Sequence, residues 1–189
     1  MTDGPWVAVG LGNPGDRYAA TRHNVGRMVV EQLAAGHGER FKANRRARCD
    51  VAEVRLGSQR CVLAVPHSYM NESGGPVSGV LAYYKAEPAR LIVVQDEIDL
   101  PFGALRIKYG GGDNGHNGLK SIRKSLRTGD WYRIRVGVGR GRGDTAEHVL
   151  ATFARHEAQP LADLVSTAAD AVESLVDSGL ERTQNRFNS

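Results

Sequence analysis

The chain has few cysteines and no long apolar run. Only two of its 189 residues are cysteines, Cys49 and Cys61, and they show neither the Cys-x-x-Cys spacing of a zinc site nor the number that a disulfide framework needs. No apolar stretch reaches the roughly 18–20 residues of a membrane span, and the first residues lack the basic-then-apolar layout of a signal peptide. These absences predict a cytoplasmic protein that has no zinc site, no disulfide and no membrane segment.

Aromatic residues are also scarce, at 6% of the chain. The aromatic-rich strands of a base-stacking RNA module are therefore not expected. Internal repeats and low-complexity tracts are absent as well. A chain of this length can bury one full core but has no length left for a second, so we predict a single domain over residues 1–189. Its formal net charge of +4 is compatible with an anionic partner but does not require one.

Apolar strands alternate along the chain with helical patterns. Residues 7–9 and 91–94 are short apolar runs, as buried parallel strands should be. The alternation predicts an α/β fold, namely an α/β/α sandwich with a mixed, mostly parallel twisted sheet. The other predicted elements are a helix starting at Val25 and stopping at Gly36, hairpin strands at 47–55 and 60–65, a helix carrying Val77 and Tyr84, an edge strand at 104–109, a basic helix at 119–127, a strand at 131–138, a short helix around Val149 and Phe153, and a long amphipathic helix that ends near Gly179.

A glycine-rich turn follows the first strand. Gly10, Gly12 and Gly15 match the Gly-x-Gly-x-x-Gly spacing of dinucleotide-binding proteins. In those proteins a helix begins within the glycines and its free N–H groups bind the pyrophosphate, whereas Pro14 removes one such donor here. The acidic residue expected about 20 positions later, at the end of a second strand, is missing too. A nicotinamide- or flavin-dependent oxidoreductase is therefore an alternative with little support in the pattern.

Polar residues stand where several apolar elements end. His23 precedes the first predicted helix, and Asp96 follows the buried strand at 91–94. Because the carboxyl ends of parallel strands share one edge of a sheet, we expect these residues to lie together. An imidazole transfers protons near neutral pH and a carboxylate can fix its tautomer, so His23 is the predicted general base and Asp96 its partner. The whole group comprises Asn13, His23, Asn71, Asp96 and Asn117.

Water is the expected nucleophile. Ser68 and Ser73 lack the Gly-x-Ser-x-Gly setting of an activated serine, and both cysteines fall inside predicted strands. The asparagines would then orient the substrate, hold the water or donate to an oxyanion. A structural alternative stays open for two of them, because asparagine is also common in turns, as at Asn13, and at helix N-caps, as at Asn71.

These residues lie within an ordered series of motifs that covers most of the chain. The series consists of Val9-Gly10-Leu11-Gly12-Asn13-Pro14-Gly15, Tyr18, Thr21-Arg22-His23-Asn24-Val25-Gly26, Tyr69-Met70-Asn71-Glu72-Ser73-Gly74, Asp96-Glu97-Ile98-Asp99-Leu100-Pro101-Phe102-Gly103 and Gly115-His116-Asn117-Gly118-Leu119-Lys120. It resembles the motif series of the bacterial peptidyl-tRNA hydrolase family. Such a series is far more specific than any single motif.

The resemblance implies hydrolysis, without metal or cofactor, of the ester that joins a peptide to the terminal ribose of tRNA. It also implies a monomeric α/β/α sandwich with a flexible lid near the glycine loop at 110–115. In this family-based assignment His23 is the general base and Asp96 orients it. The substrate-binding residues are then Asn13, Tyr18, Tyr69, Asn71, His116 and Asn117.

Basic residues cluster in the second half of the chain. tRNA is an anionic polymer whose phosphates dominate binding, so these residues are the predicted contacts for its backbone. A solvated charged face is the alternative for each of them, and a non-catalytic RNA-binding module of the same fold is the alternative for the whole protein. The predicted contacts are Arg106, Lys108 and Arg133, with Lys120, Arg123 and Lys124 as further candidates.

Overall fold

The computed structural model describes residues 4–188, and within them seven strands form one sheet. The strands are β1 (Trp6–Gly10), β2 (Lys42–Asn44), β3 (Cys49–Leu56), β4 (Gln59–Pro66), β5 (Leu91–Glu97), β6 (Leu105–Tyr109) and β7 (Tyr132–Gly137). Their order across the sheet is β2-β3-β4-β1-β5-β7-β6.

The four central strands are parallel. β1 pairs with β4 on one side and with β5 on the other, and β5 pairs with β7. The outer pairs, β2 with β3, β3 with β4 and β6 with β7, are antiparallel. The predicted mixed sheet with a parallel centre is confirmed, as are the β3–β4 hairpin and the edge position of β6. The carboxyl ends of the central strands therefore share one edge of the sheet, where open α/β folds place their ligands.

Helices cover both faces of the sheet, which confirms the α/β/α sandwich. They are α1 (Val25–Gly36), α2 (Gly74–Tyr84), α3 (Asn117–Leu126), α4 (Thr145–Leu150), α5 (Ala158–Ser178) and α6 (Leu180–Phe187). Side chains alternate between the faces along β5, as the pleat of a strand requires. Ile92 and Val94 enter a core with α1 and α5, whereas Leu91 and Val93 enter a second core with α2 and α3. No helix within residues 4–188 is long and apolar enough to cross a bilayer.

The sequence patterns did not predict β2 or α6, and α4 ends before Phe153. α6 packs Leu180 and Phe187 against the core, and amide side chains from α6 and from the residue after it bind the edge strand β6. Asn188 Oδ1 accepts a hydrogen bond from the backbone nitrogen of Ile107 at 2.7 Å, and Asn188 Nδ2 and Gln184 Nε2 both donate to its carbonyl oxygen at 3.0 Å. These bonds occupy edge groups that are otherwise open to pairing with another chain. Leu180 and Phe187 are too few apolar positions to give a clear helical period in the sequence.

Candidate active site

Short turns bring the predicted polar residues to the carboxyl edge of the parallel strands. His23 lies in a 3₁₀ turn just before α1, and Asn71 lies in a second 3₁₀ turn just before α2. Asp96 is the penultimate residue of β5, and Asn117 is the first residue of α3. Together with Asn13 they line a cleft of about 630 Å³. The structure thus gathers all five members of the predicted polar group.

Asp96 is the centre of this site. It is 3% exposed, and each of its oxygens binds a different histidine. Oδ2 lies 2.8 Å from His23 Nδ1, and Oδ1 lies 2.8 Å from His116 Nε2. An ionised carboxylate can only accept hydrogen bonds, so both of these ring nitrogens carry a proton. His23 is therefore held with its proton on Nδ1, which leaves Nε2 as its basic nitrogen.

The pKa of Asp96 agrees with this arrangement. Burial by itself raises the pKa of a carboxyl group, because the charged form loses water. The hydrogen bonds that His116 and His23 donate, and the attraction between the carboxylate and either ring when that ring is protonated, outweigh burial here and hold the pKa of Asp96 well below its usual range. The carboxyl group is thus ionised at neutral pH, as both histidine tautomers require.

His116 uses both of its ring nitrogens within the protein. Its Nδ1 accepts hydrogen bonds from the backbone N–H groups of Gly118 and Leu119, at 3.1 and 3.3 Å, and so caps α3. Its Nε2 is the atom that donates to Asp96. A ring with one accepting and one donating nitrogen is neutral. His116 lines the cleft, and both of its ring nitrogens are bonded within the protein, so the ring holds Asp96 in place. A contact between His116 and substrate stays a prediction.

Asn13 has both a structural contact and a group directed to the cleft. The side chain of the fully buried Asn24 accepts from Asn13 N at 2.8 Å and donates to Asn13 O at 2.9 Å. The side-chain oxygen of Asn13 accepts from Met70 N at 2.7 Å. This bond fixes the amide orientation, and within residues 4–188 nothing accepts from Asn13 Nδ2. Asn24 was not predicted, and its only signal was its place beside His23 in a polar turn.

Asn71 and Asn117 are exposed, and neither side chain has a hydrogen-bond partner in the described part of the chain. The N-cap of α2 is Ser73, and the N-cap of α3 is His116. The structural alternative for Asn71, an N-cap, is therefore wrong. Both amides remain available to a ligand in the cleft.

Aromatic and apolar side chains line part of the cleft. Tyr69 is 54% exposed and packs edge-on against Tyr18, with 6.2 Å between the ring centroids. Tyr69 lines the cleft directly, whereas Tyr18 is not among the lining residues and contacts the cleft only through Tyr69. Three further lining residues are apolar, namely Ile98, Val149 and Leu150. The cleft therefore offers both polar donors and apolar surface.

The glycine-rich turn does not form a dinucleotide site. A Cβ atom at Gly10 would lie 2.4 Å from the carbonyl oxygen of Gly26, and one at Gly12 would lie 2.8 Å from the side chain of Asn24. These glycines therefore let α1 and Asn24 pack closely against the turn. α1 also begins only at Val25, well after the glycines. The dinucleotide alternative is wrong.

One cluster in the described residues has the composition of a metal site. The facing atoms of His23, Asp96 and His116 all lie within 4.8 Å of one another. The two histidine N–H groups already donate hydrogen bonds to the Asp96 carboxylate. A metal ion bound by these three side chains would have to displace both protons. The three side chains therefore already have the hydrogen bonds that a metal ion would have to replace.

Comparisons with known proteins agree with this geometry. Residues 7–189 match the family model described as peptidyl-tRNA hydrolase. A peptidyl-tRNA hydrolase from Frankia alni is 57% identical, over 99% of this chain and 95% of that protein, and one from Streptomyces coelicolor is 50% identical, over 98% and 96%. The crystal structure of peptidyl-tRNA hydrolase from Acinetobacter baumannii aligns with a TM-score of 0.92 at 32% identity, covering 100% of this chain and 96% of that chain.

The chain belongs to the peptidyl-tRNA hydrolase family.

In this member of the peptidyl-tRNA hydrolase family, Arg133 does not present its charge to a ligand. It is 1% exposed. Its guanidinium donates to the carbonyl oxygens of Gly112, Gly111 (2.8 Å) and Gly129 (2.9 Å), and it stacks on Trp131 with its Cζ 4.4 Å from the ring centroid. The predicted phosphate contact at Arg133 is therefore corrected. Arg133 anchors the glycine loop that runs up to the cleft.

Arg106 and Lys108 instead form a basic strip with Arg135. Arg106 lies opposite Arg135 across β6 and β7, and Arg135 Nε donates to the buried Glu97, which lines the cleft, at 2.9 Å. Burial lowers the pKa of Lys108, and the nearby charges of Arg135 and Arg133 lower it further. An anion beside Lys108 would relieve this repulsion. The strip adjoins the catalytic cleft through Glu97.

Proposed function

We propose that this enzyme hydrolyses the ester between the peptide and the terminal ribose of peptidyl-tRNA with a water molecule that His23 activates. Family membership supports the reaction. The observation that carries the assignment of the base is the pair of 2.8 Å hydrogen bonds on Asp96, which places a proton on His23 Nδ1 and leaves Nε2 as its basic nitrogen.

In the proposed reaction, His23 Nε2 takes a proton from water as the water oxygen attacks the ester carbonyl carbon. The resulting imidazolium is stabilised by the ionised Asp96. When the tetrahedral intermediate collapses, the bond from carbon to the ribose oxygen breaks, and His23 returns the proton to that oxygen. The products are the free peptide and tRNA with its terminal hydroxyl restored. A positioned general base of this kind contributes about 10²–10⁴-fold to the rate.

Amide donors would stabilise the negative oxygen of the intermediate. The candidates are Asn13 Nδ2 and the side chains of Asn71 and Asn117, because all three line the cleft and none donates to another described residue. A preorganised donor in a partly closed site stabilises a developing oxyanion without a cost of reorganisation.

The basic strip supplies contacts for the tRNA itself. Arg106 and Lys108, which the sequence predicted, and Arg135, their neighbour, would face phosphates of the tRNA acceptor arm. Such contacts depend on charge and shape and do not read sequence, which suits an enzyme that must accept different tRNAs. We further propose that the enzyme works as a monomer in the cytoplasm, where its two buried thiols stay reduced.

The direct test uses N-blocked aminoacyl-tRNA and free aminoacyl-tRNA, each incubated with the enzyme in the presence of a chelator. We expect release of the amino acid from the blocked species only. His23→Ala should lower this rate about 10²–10⁴-fold while tRNA binding, measured by filter retention, persists.

Near-normal turnover by His23→Ala would contradict the assignment of the base, and loss of wild-type activity in chelator would contradict the metal-free mechanism. Binding of tRNA by wild-type enzyme without any release would support the alternative, a non-catalytic RNA-binding module.

A further inference from the structure

A second groove opens directly beside the catalytic cleft. It has a volume of about 950 Å³ and lies between the first turn of α2 and the exposed face of α3. Asn71 and Asn117 line both the groove and the cleft. A polymer bound in the groove can therefore continue past the point where the ester reacts.

The groove carries an excess of positive charge that the protein does not neutralise. Arg48, Lys120 and Lys124 all line it, and within residues 4–188 none of the three forms an ion pair. Glu72 is the one carboxylate among the lining residues, and the lining His67 is already bound to Asp50 at 2.7 Å. A concave surface with cations of one sign and no internal partners favours an anionic ligand.

The local backbone sets the positions of these cations. Arg48 has a φ of 56°, in the left-handed region that few residues other than glycine adopt. A Cβ atom at Gly75 would lie only 2.7 Å from Arg48 Nη2, so the guanidinium rests against α2 where glycine leaves room for it. Lys120 and Lys124 are one helical turn apart and share a face of α3. Between them, Ser121 Oγ accepts a hydrogen bond from Gly74 N at 2.8 Å and ties the two helices together.

We propose that this groove binds the sugar-phosphate backbone of the unpaired 3′ end of the tRNA, a refinement that rests on the function proposed above. Two chains leave the reacting ester. The nucleotide strand carries a negative charge at each phosphate, whereas the peptide backbone carries none. The groove cations therefore select the nucleotide strand, and the apolar surface of Ile98, Val149 and Leu150 is left for the peptide. This assignment gives the substrate a direction across the site.

The test compares three N-blocked aminoacyl esters: the whole tRNA, a short single-stranded oligonucleotide with the 3′-terminal sequence, and the terminal nucleoside alone. In Lys120→Gln/Lys124→Gln we expect KM to rise about tenfold for the tRNA and for the oligonucleotide, with kcat unchanged. KM for the nucleoside ester should not change, because that ester has no internucleotide phosphate. The plot of log KM against log salt for the oligonucleotide should lose a slope of about 0.7 per contact removed.

Gly75→Ala provides a variant that keeps every charge. The added methyl group displaces the Arg48 guanidinium, while alanine is a better helix former than glycine, so the fold should be at least as stable. We expect a smaller rise of KM for the oligonucleotide and none for the nucleoside ester. Arg182→Gln, which removes an exposed charge on α6, is the matched control and should leave all three substrates unaffected.

Other outcomes would overturn the proposal. An unchanged KM for the oligonucleotide, or an effect confined to whole tRNA, would mean that the groove does not hold the 3′ strand. An equal effect on the nucleoside ester would mean that the lysines act through the fold or the cleft. A change in preference for esters of acidic peptides would assign the groove to the peptide. Hydrolysis of the nucleoside ester by wild-type enzyme tests the function proposed above, whereas the variants test only the role of the groove. The two proposals can therefore fail independently.

Discussion

The catalytic cleft and the basic groove beside it are built in opposite ways. In the cleft, Asp96 accepts from two histidines and His116 uses both ring nitrogens, so the ionisable groups have their partners within the protein. In the groove, Lys120 and Lys124 have no such partners among the described residues. Groups that are already paired hold one geometry and act on the chemical step, whereas unpaired cations gain their partner only from a ligand.

Asn71 and Asn117 stand at the boundary between these two regions. They line both regions, and neither side chain has a hydrogen-bond partner among residues 4–188. Like the groove cations, their amides are available to a ligand, but they also line the cleft where the ester is proposed to react. The comparison predicts that removing a paired group of the cleft lowers kcat most, that removing the boundary amides has an intermediate effect, and that removing a basic contact mainly raises KM.

The largest effect is expected from Asp96→Asn. His116 must keep its proton on Nε2, because its Nδ1 already accepts from the backbone of α3. The oxygen of the introduced amide will therefore face His116, and its NH₂ group will face His23 Nδ1. His23 must then carry its proton on Nε2, the position where the base is needed. The corresponding substitution in a serine protease lowers kcat about 10⁴-fold by the same change of tautomer, and we expect a loss of about 10³–10⁴-fold in single-turnover hydrolysis.

A second substitution tests the tautomer explanation. His116→Ser keeps a good N-cap for α3 but is too short to reach the side chain at position 96, so the introduced amide there can turn its oxygen towards His23. We expect Asp96→Asn/His116→Ser to recover at least tenfold in kcat relative to Asp96→Asn. If the double variant is as slow as the single one, His116 does not fix the orientation of the side chain at position 96.

The sequence predicted the parts of the site that follow from topology. Parallel strands end at one edge, so residues placed after them, such as His23 and Asp96, had to meet there. It could not predict contacts that depend on how loops fold back. Arg133 alternates with inward apolar residues along β7, a pattern that predicts an exposed side chain. The glycine loop nevertheless folds over it and supplies two carbonyl acceptors, and Gly129 supplies a third. Asn24 was missed for a similar reason, since nothing in the sequence around it indicates that its amide hydrogen-bonds both backbone groups of Asn13.

An intermediate effect is expected from the asparagines at the boundary. Asn71→Ala and Asn117→Ala should each lower kcat/KM about 10–10²-fold, because an oriented amide contributes through geometry at the reacting carbonyl. Neither change should lower the melting temperature, since both side chains are exposed and without internal partners among the described residues. Asn24→Ala is the contrasting control: it removes two buried hydrogen bonds and should cost about 1–3 kcal/mol of stability. Loss of activity in Asn71→Ala only in proportion to unfolding would show that this amide is structural.

The smallest effect is expected from the basic strip, where Lys108 and Arg133 lie opposite each other on neighbouring strands. Lys108 is half-buried among cations, so a tRNA phosphate would be its missing partner. Lys108→Gln should therefore raise KM for whole tRNA about three- to tenfold, leave kcat unchanged, and reduce the slope of log affinity against log salt by about 0.9. Arg133→Gln removes the same charge one strand away, but its carbonyl acceptors are in the protein, so it should leave the salt slope unchanged and loosen the glycine loop, seen as faster amide exchange at 110–115. A buried guanidinium that is bonded within the protein has no counterions to exchange with a phosphate. Equal changes of the salt slope in the two variants would therefore contradict the distinction between internally bonded and ligand-binding charges at this strip.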